Sequence, residues 1–285
     1  MTPDLPLKTL PALALAGALW LAPGLAQAQQ ALQPLTAEAT AATPLECTLI
    51  LDATSGEPLH RSGTCDRAFA PASTFKVPLA VIGFDAGILK DATTPAWPYK
   101  SEYDAPERVR KTVDPTIWEA DSVVWYSREI TRLLGMERFA AYVARLDYGN
   151  KDVAGDPGKN NGLTRSWLGS SLAITPEEQA GFLRRLLSDA LPVSFQAQDK
   201  TRAIIPAFTA ADGWSVHGKT GSTWLYGPDG QADRNRPIGW FVGWGEKDGR
   251  RVVFARLYVG TEPYEDGMGL KQREFFLDAL PSLVK

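Results

Sequence analysis

Histidine is almost missing from this chain: His60 and His217 are the only two among 285 residues. Two imidazoles are too few for the ligand set of a catalytic zinc site, so a metallo-hydrolase is excluded and no metal is expected. No G-x-S-x-G segment occurs, which removes the nucleophile elbow of the α/β-hydrolases. Charge of one sign is lacking too. With 30 basic and 33 acidic side chains the net charge is −3, no block of like charges stands out, and nucleic acid is not an expected partner. Nor is any apolar stretch long enough to cross a bilayer; the best candidate, Leu10 to Ala22, has 13 residues.

That stretch instead has the form of an export signal. Lys8 precedes it, Pro23-Gly24 break it, and Ala26-Gln27-Ala28 fit an A-x-A cleavage site. Residues 1–28 are therefore predicted to be a signal peptide, leaving a mature domain over 29–285 in the periplasm and off the membrane. No cysteine follows the apolar run, which argues against a lipid anchor. The only two cysteines, Cys47 and Cys65, flank the turn-like Thr54-Ser55-Gly56-Glu57 symmetrically. A hairpin centred there sets them opposite each other, either as a disulfide permitted by an oxidising compartment or as two buried thiols.

What the chain does have is an ordered series of elements. After a loosely held lead-in over 29–45, residues 46–62 read as a hairpin. An apolar helix follows to about Gly87, with Pro78 inside it, where proline either bends a helix or is tolerated in its first turns. From there to about residue 206 the pattern is mostly helical. Asp114-Pro115 opens one helix, Met136 to Leu146 forms another, and Thr175-Pro176-Glu177-Glu178 is a capping box with proline at the first helical position. Trp214 to Thr220, Ile238 to Gly245 and Val252 to Val259 are short β-branched and aromatic segments, and residues 223–237 between the first two are expected to be a long, specificity-shaping loop. A helix over Gly269 to Leu283 ends the chain. The simplest packing is α/β (α+β): one central antiparallel sheet built from about 46–68 and 213–285 and flanked by helices, plus an all-helical lobe over about 69–212 and a cleft between.

Chemistry enters with Ser73-Thr74-Phe75-Lys76. Residues three apart share a helix face, so the Lys76 amine lies beside the Ser73 hydroxyl, as a base must to activate a weak nucleophile. Lysine becomes a base only where burial or neighbours depress its pKa, and Phe75, Val77, Leu79, Val81 and Ile82 supply the burial. The same S-x-x-K spacing recurs at Ser282-Leu283-Val284-Lys285, at the chain end, so the tetrad gains weight only from its company. That company is Lys219-Thr220-Gly221, about 140 residues on, because S-x-x-K followed by K-T-G is the signature of penicillin-interactive serine enzymes. His217 shares the Lys219 face by strand alternation and is expected to be structural.

The full set Ser73-x-x-Lys76, Ser122-x-Val124, Tyr148-Gly149-Asn150, Trp167-Leu168-Gly169, Lys219-Thr220-Gly221 and Gly239-Trp240-Phe241-Val242-Gly243-Trp244 resembles the class D serine β-lactamases, in order, from about residue 46 to the C-terminus. Class A resembles it less, since S-D-N is replaced by Ser122-Val123-Val124 and no Ω-loop glutamate base can be placed. The resemblance implies a β-lactamase/transpeptidase-like fold and hydrolysis of β-lactams through an acyl-serine. It implies no separate cofactor, but carbon dioxide bound covalently as an N-carboxylated Lys76. In these terms Ser73 is the nucleophile, Lys76 the base, Ser122 the proton relay to the leaving nitrogen, and Lys219 the source of positive potential. Val124, Trp167 and Leu168 surround the carbamate, and the N–H groups of Ser73 and Ser222 form the oxyanion hole. Thr220, Gly221 and a C-terminal cation bind substrate. The family's arginine aligns with Lys271, which lacks the bidentate fork, and Arg273 is the other candidate. The expected state is a monomer or homodimer. The rivals are a β-lactam sensor and a D-Ala-D-Ala peptidase or transpeptidase of the same fold.

Overall fold

The computed structural model describes Met1, residues 43–227 and residues 229–285. The predicted signal peptide, Met1 apart, lies outside the described residues. Among the described residues six strands form one sheet: β1 (Leu45–Asp52), β2 (Pro58–Gly63), β3 (Ala207–Thr209), β4 (Ser215–Tyr226), β5 (Ala232–Lys247) and β6 (Arg250–Val259). Their spatial order is β2-β1-β6-β5-β4-β3, and every pairing is antiparallel. The first and last thirds of the chain therefore meet at the β1–β6 ladder, where Leu45 pairs with Val259 and Asp52 with Val252.

Eight α-helices accompany the sheet among the described residues: α1 (Lys76–Asp85), α2 (Pro115–Ala120), α3 (Val124–Leu134), α4 (Met136–Arg145), α5 (Gly162–Arg165), α6 (Pro176–Leu187), α7 (Phe195–Ile204) and α8 (Met268–Leu283). Helix α1 is buried from Lys76 to Phe84, as expected of a helix that is apolar all round. Pro78 falls in its first turn, where a missing N–H breaks no intrahelical bond. Asp114 caps α2 by accepting from the Ile117 N–H at 2.8 Å. Thr175 and Glu178 make the reciprocal capping box of α6.

Alternation along β5 divides the core. Phe241 faces α8 and joins Trp214, Val216, Phe254, Phe276 and Leu280 in one apolar cluster, with the Phe254 and Phe276 rings stacked at 3.9 Å. Trp240, on the opposite face, donates its indole N–H to the Ala70 carbonyl at 3.0 Å and so ties the sheet to the segment leading into the nucleophile turn. Cys47 and Cys65 form a disulfide just beyond the β1–β2 pairing.

Two expectations need correction. Residues 223–237 are not a long loop: β4 runs through Tyr226 and β5 starts at Ala232, with Leu225 paired to Asp233 and Tyr226 to Ala232. Thr223, Trp224, Leu225 and Tyr226 are good strand formers, and the polar partner strand is held partly by side chains, with the Arg234 guanidinium 4.1 Å from the Trp224 ring. The second correction concerns the supposed helical lobe, because β3 lies inside 69–212 yet pairs with β4 as the sixth strand.

Candidate active site

Sequence places Ser73 in a short 3-10 turn, Ala72–Phe75, that runs directly into α1. Ala72 holds φ at +50°, a left-handed backbone that non-glycine residues adopt at a cost and that tends to mark functional turns. Lys76 Nζ donates to Ser73 Oγ at 3.2 Å, and Lys76 is only 1% exposed. Burial first, and then the positive charge of Lys219, push the Lys76 amine well below the ordinary lysine range, while Glu119 opposes them. The result is a dry amine beside a hydroxyl, with its charged form disfavoured.

Strand β4 meets this turn through Gly221. A Cβ there would lie 2.8 Å from the Pro71 carbonyl oxygen, so only glycine lets the K-T-G strand approach so closely. Lys219 points to the same centre and donates from Nζ to Ser122 Oγ at 3.0 Å and to the Thr220 carbonyl at 3.1 Å. Burial, helped by Arg273 and Arg108 and opposed by Glu119, brings Lys219 down to about 8. Ser122 sits between α2 and α3 with φ at +57°, a second left-handed residue. Ser73, Ser122, Val124, Lys219, Thr220 and Ser222 all line one cleft.

Behind the turn the wall is aromatic. Trp167 stacks on Phe75 with ring centroids 5.4 Å apart, and its carbonyl accepts from the Ala72 N–H at 2.9 Å. Its indole N–H is buried without a partner among the described residues. The Tyr148-Gly149-Asn150 segment pins the loop that carries Trp167 and Leu168: Asn150 donates to the Ser171 carbonyl at 2.8 Å and accepts from the Ala173 N–H at 3.1 Å.

Side chains that the sequence did not single out complete the site. Gln179 of α6 donates to Thr74 Oγ1 at 2.8 Å and accepts from the Tyr148 hydroxyl at 3.2 Å, a buried chain that holds the nucleophile turn from below. Glu119, fully buried in α2, lines the cleft, and both of its carboxylate oxygens lack a hydrogen-bond partner among the described residues. A lone glutamate on a short helix reads in sequence as a solvated face, so no local signal could have found it. The two candidate cations at the C-terminal helix separate clearly. Arg273 lines the cleft, whereas Lys271 lies over the Tyr264 ring at 5.1 Å and is not among the lining residues. His217 stacks on Trp244 at 5.2 Å and faces the Ile205 carbonyl, away from the chemistry. Among the described residues no His, Cys, Asp and Glu cluster could hold a metal ion.

Comparison with known proteins agrees with this arrangement. The penicillin-binding protein transpeptidase domain matches residues 36–280. The chain is 51% identical over 242 residues to β-lactamase OXA-9 of Klebsiella pneumoniae, covering 84% of this chain and 88% of that protein. It is 35% identical over 230 residues to β-lactamase OXA-1 of Escherichia coli, covering 78% and 80%. The crystal structure of the class D β-lactamase OXA-427 matches with a TM-score of 0.76 at 44% identity, over 83% of this chain and 97% of that one. Fold and site thus define a serine enzyme of the penicillin-binding transpeptidase class. Within that class, the chain belongs to the class D β-lactamases.

Proposed function

We propose that this chain is a periplasmic β-lactam hydrolase that works through an acyl-Ser73 intermediate and a Lys76 carboxylated by carbon dioxide. The observation that carries the reading is the pairing of a dehydrated Lys76 amine 3.2 Å from Ser73 Oγ with an unpartnered Trp167 indole N–H. Carboxylation requires a neutral amine, and burial favours that form of Lys76. The resulting anion requires buried donors, and an orphaned indole N–H is such a donor. The residues present therefore fit the group. When bound, it supplies a carboxylate base for the Ser73 proton and later for that of water.

The protein's own side chains do the rest. Ser73 Oγ attacks the lactam carbonyl carbon, the C–N bond breaks, and the serine ester remains. Ser122 gives its proton to the departing nitrogen and recovers one from Lys219 Nζ, the donor that holds it in position and whose charge favours the transfer. The oxyanion is assigned to the N–H groups of Ser73 and Ser222. Gly218 donates its N–H across the strand edge to Pro206, and antiparallel alternation turns the Ser222 N–H to the same edge. Thr220 and Arg273 are assigned to the substrate carboxylate, with Arg273 preferred over Lys271 because it lines the cleft. The Cys47–Cys65 disulfide supports an oxidising compartment and hence export.

Continuous hydrolysis of a chromogenic cephalosporin, followed alongside intact-protein mass, tests the reading. Many turnovers with a transient adduct on Ser73 are expected. A single stoichiometric adduct without turnover would instead indicate a sensor, and release of D-alanine from a stem peptide would indicate a peptidase.

A further inference from the structure

Glu119 is the one buried group at the cleft that the chemistry above leaves without work. An ionised carboxylate cannot remain dry and unbonded cheaply, so it needs a cation or a proton. The charges that act on it are those of Lys219 from β4, which lines the same cleft, and Lys76 from α1. Arg108 acts on both lysines, Arg128 of α3 on Lys76, and Arg273 of α8 on Lys219. Before carboxylation, an ionised Glu119 is offset by the charge on Lys219, while burial disfavours a charge on Lys76. Adding an anion on Lys76 would put two negative charges in one dry pocket against a single ammonium, and the second anion has no hydrogen-bond donor to hold it.

We propose that Glu119 is the proton acceptor coupled to carbon dioxide uptake, so that Lys76 is carboxylated as Glu119 becomes a neutral carboxylic acid. The proposal rests on the carboxylated-lysine reading given above. The balance is simple. The amine nitrogen forms a bond to the carbon of carbon dioxide, one C=O π bond becomes a C–O⁻, and the proton lost by nitrogen ends on a Glu119 oxygen. The pocket's net charge does not change, so uptake releases no proton to solvent. Burial already pushes Glu119 up to about 7, against the pull of the two lysines, so a further anion nearby is enough to keep it protonated at neutral pH. Glu119 is a positioning residue here: it acts on the base, and no contact with substrate is claimed.

The test uses the full chain, freed of carbon dioxide and then loaded with a carbon-13-labelled supply. Loading is read by the NMR signal of the carbamate carbon, and Glu119 by infrared difference spectroscopy. In the unsubstituted protein, the carbamate signal should grow together with the C=O stretch of a protonated carboxylic acid that shifts in D2O. Glu119→Gln should lack that band and reach half-loading at roughly tenfold less dissolved carbon dioxide at pH 8, the effect of one pKa unit of lost repulsion. Loading without an acid band, and equal half-loading in Glu119→Gln, would overturn the coupling and leave the carboxylated lysine standing. No labelled carbamate in the unsubstituted protein would overturn both. The infrared measurement on the unsubstituted protein stands even if the variant folds poorly.

Discussion

Lys219 Nζ lies 3.0 Å from Ser122 Oγ, across 97 residues of chain. The contact joins strand β4 to the left-handed turn between α2 and α3, and it gives both residues their chemistry. Ser122 gains a donor that orients its lone pairs. Lys219 gains one bond in a dry setting that otherwise disfavours its charge.

A pH dependence follows. With Lys219 lowered from the ordinary lysine value to about 8, its charge is present at neutral pH and is lost as pH rises through that value. The proton donation assigned to Ser122 should weaken with it, so kcat/KM should fall on the alkaline side with an apparent pKa near 8. Lys219→Arg, which cannot lose its proton in this range, should push that limb upward whatever its absolute activity. An unchanged alkaline limb in the variant would detach Lys219 from the profile. The linkage with folding runs the other way: the unfolded chain binds the extra proton between about 8 and the ordinary lysine value, so Lys219 contributes a rise in stability with pH there.

The nucleophile and its neighbour should fail differently. Ser73→Ala should show neither hydrolysis nor a covalent adduct by intact mass. Lys76→Ala should let any acyl-enzyme that forms accumulate, since the water step loses its base. Lys76 is buried, with the Ser73 hydroxyl as its hydrogen-bond partner. Replacing it by methionine should therefore raise stability by about 1–3 kcal/mol, the cost of keeping a polar group out of water. Chemical denaturation of Lys76→Met measures that trade of stability against activity.

Much of this site was legible because its parts are local. Ser73 and Lys76 meet through helix spacing alone, and the hairpin around Gly56 brings Cys47 to Cys65. The family resemblance added Trp167 and Val124, which no periodicity distinguishes from ordinary core residues. What stayed hidden depends on tertiary facing. Lys271 and Arg273 differ by two residues, about 200° around a helix. Only the docking of the α8 start against Gly221, where a Cβ on Gly269 would lie 2.5 Å from the Gly221 carbonyl oxygen, decides which one meets the cleft. The continuation of β4 and β5 past the cleft was hidden for a different reason: Gly227, Asp229, Gly230, Asp233 and Asn235 give the segment a loop's composition, and the ladder forms in spite of it.

The two cations of α8 should separate in kinetics. If Arg273 holds the substrate carboxylate, Arg273→Ala forfeits a charge-assisted hydrogen bond of about 1.5–3 kcal/mol, seen as a KM roughly 10- to 100-fold higher for penicillins. Lys271→Ala should stay near the parent, because its ammonium rests on the Tyr264 ring outside the cleft lining. The reverse order would return the role to Lys271.

Trp167 offers a substitution that keeps an aromatic ring and removes one hydrogen-bond donor. Phenylalanine preserves the stacking of a flat ring on Phe75, 5.4 Å away, and the Trp167 carbonyl that accepts from Ala72 is backbone and unaffected. The orphaned indole N–H is lost together with part of the ring volume, a packing cost that stability measurements read separately. If that N–H holds the anion on Lys76, Trp167→Phe should fold normally and still acylate slowly, yet need roughly 10- to 100-fold more bicarbonate to restore hydrolysis after degassing, for a hydrogen bond to a charged group worth about 1.5–3 kcal/mol. Steady-state rates across a bicarbonate series measure this directly. A Trp167→Phe enzyme with the parent's bicarbonate requirement would mean that the indole only packs, and that the donor to the anion must be sought elsewhere in the wall.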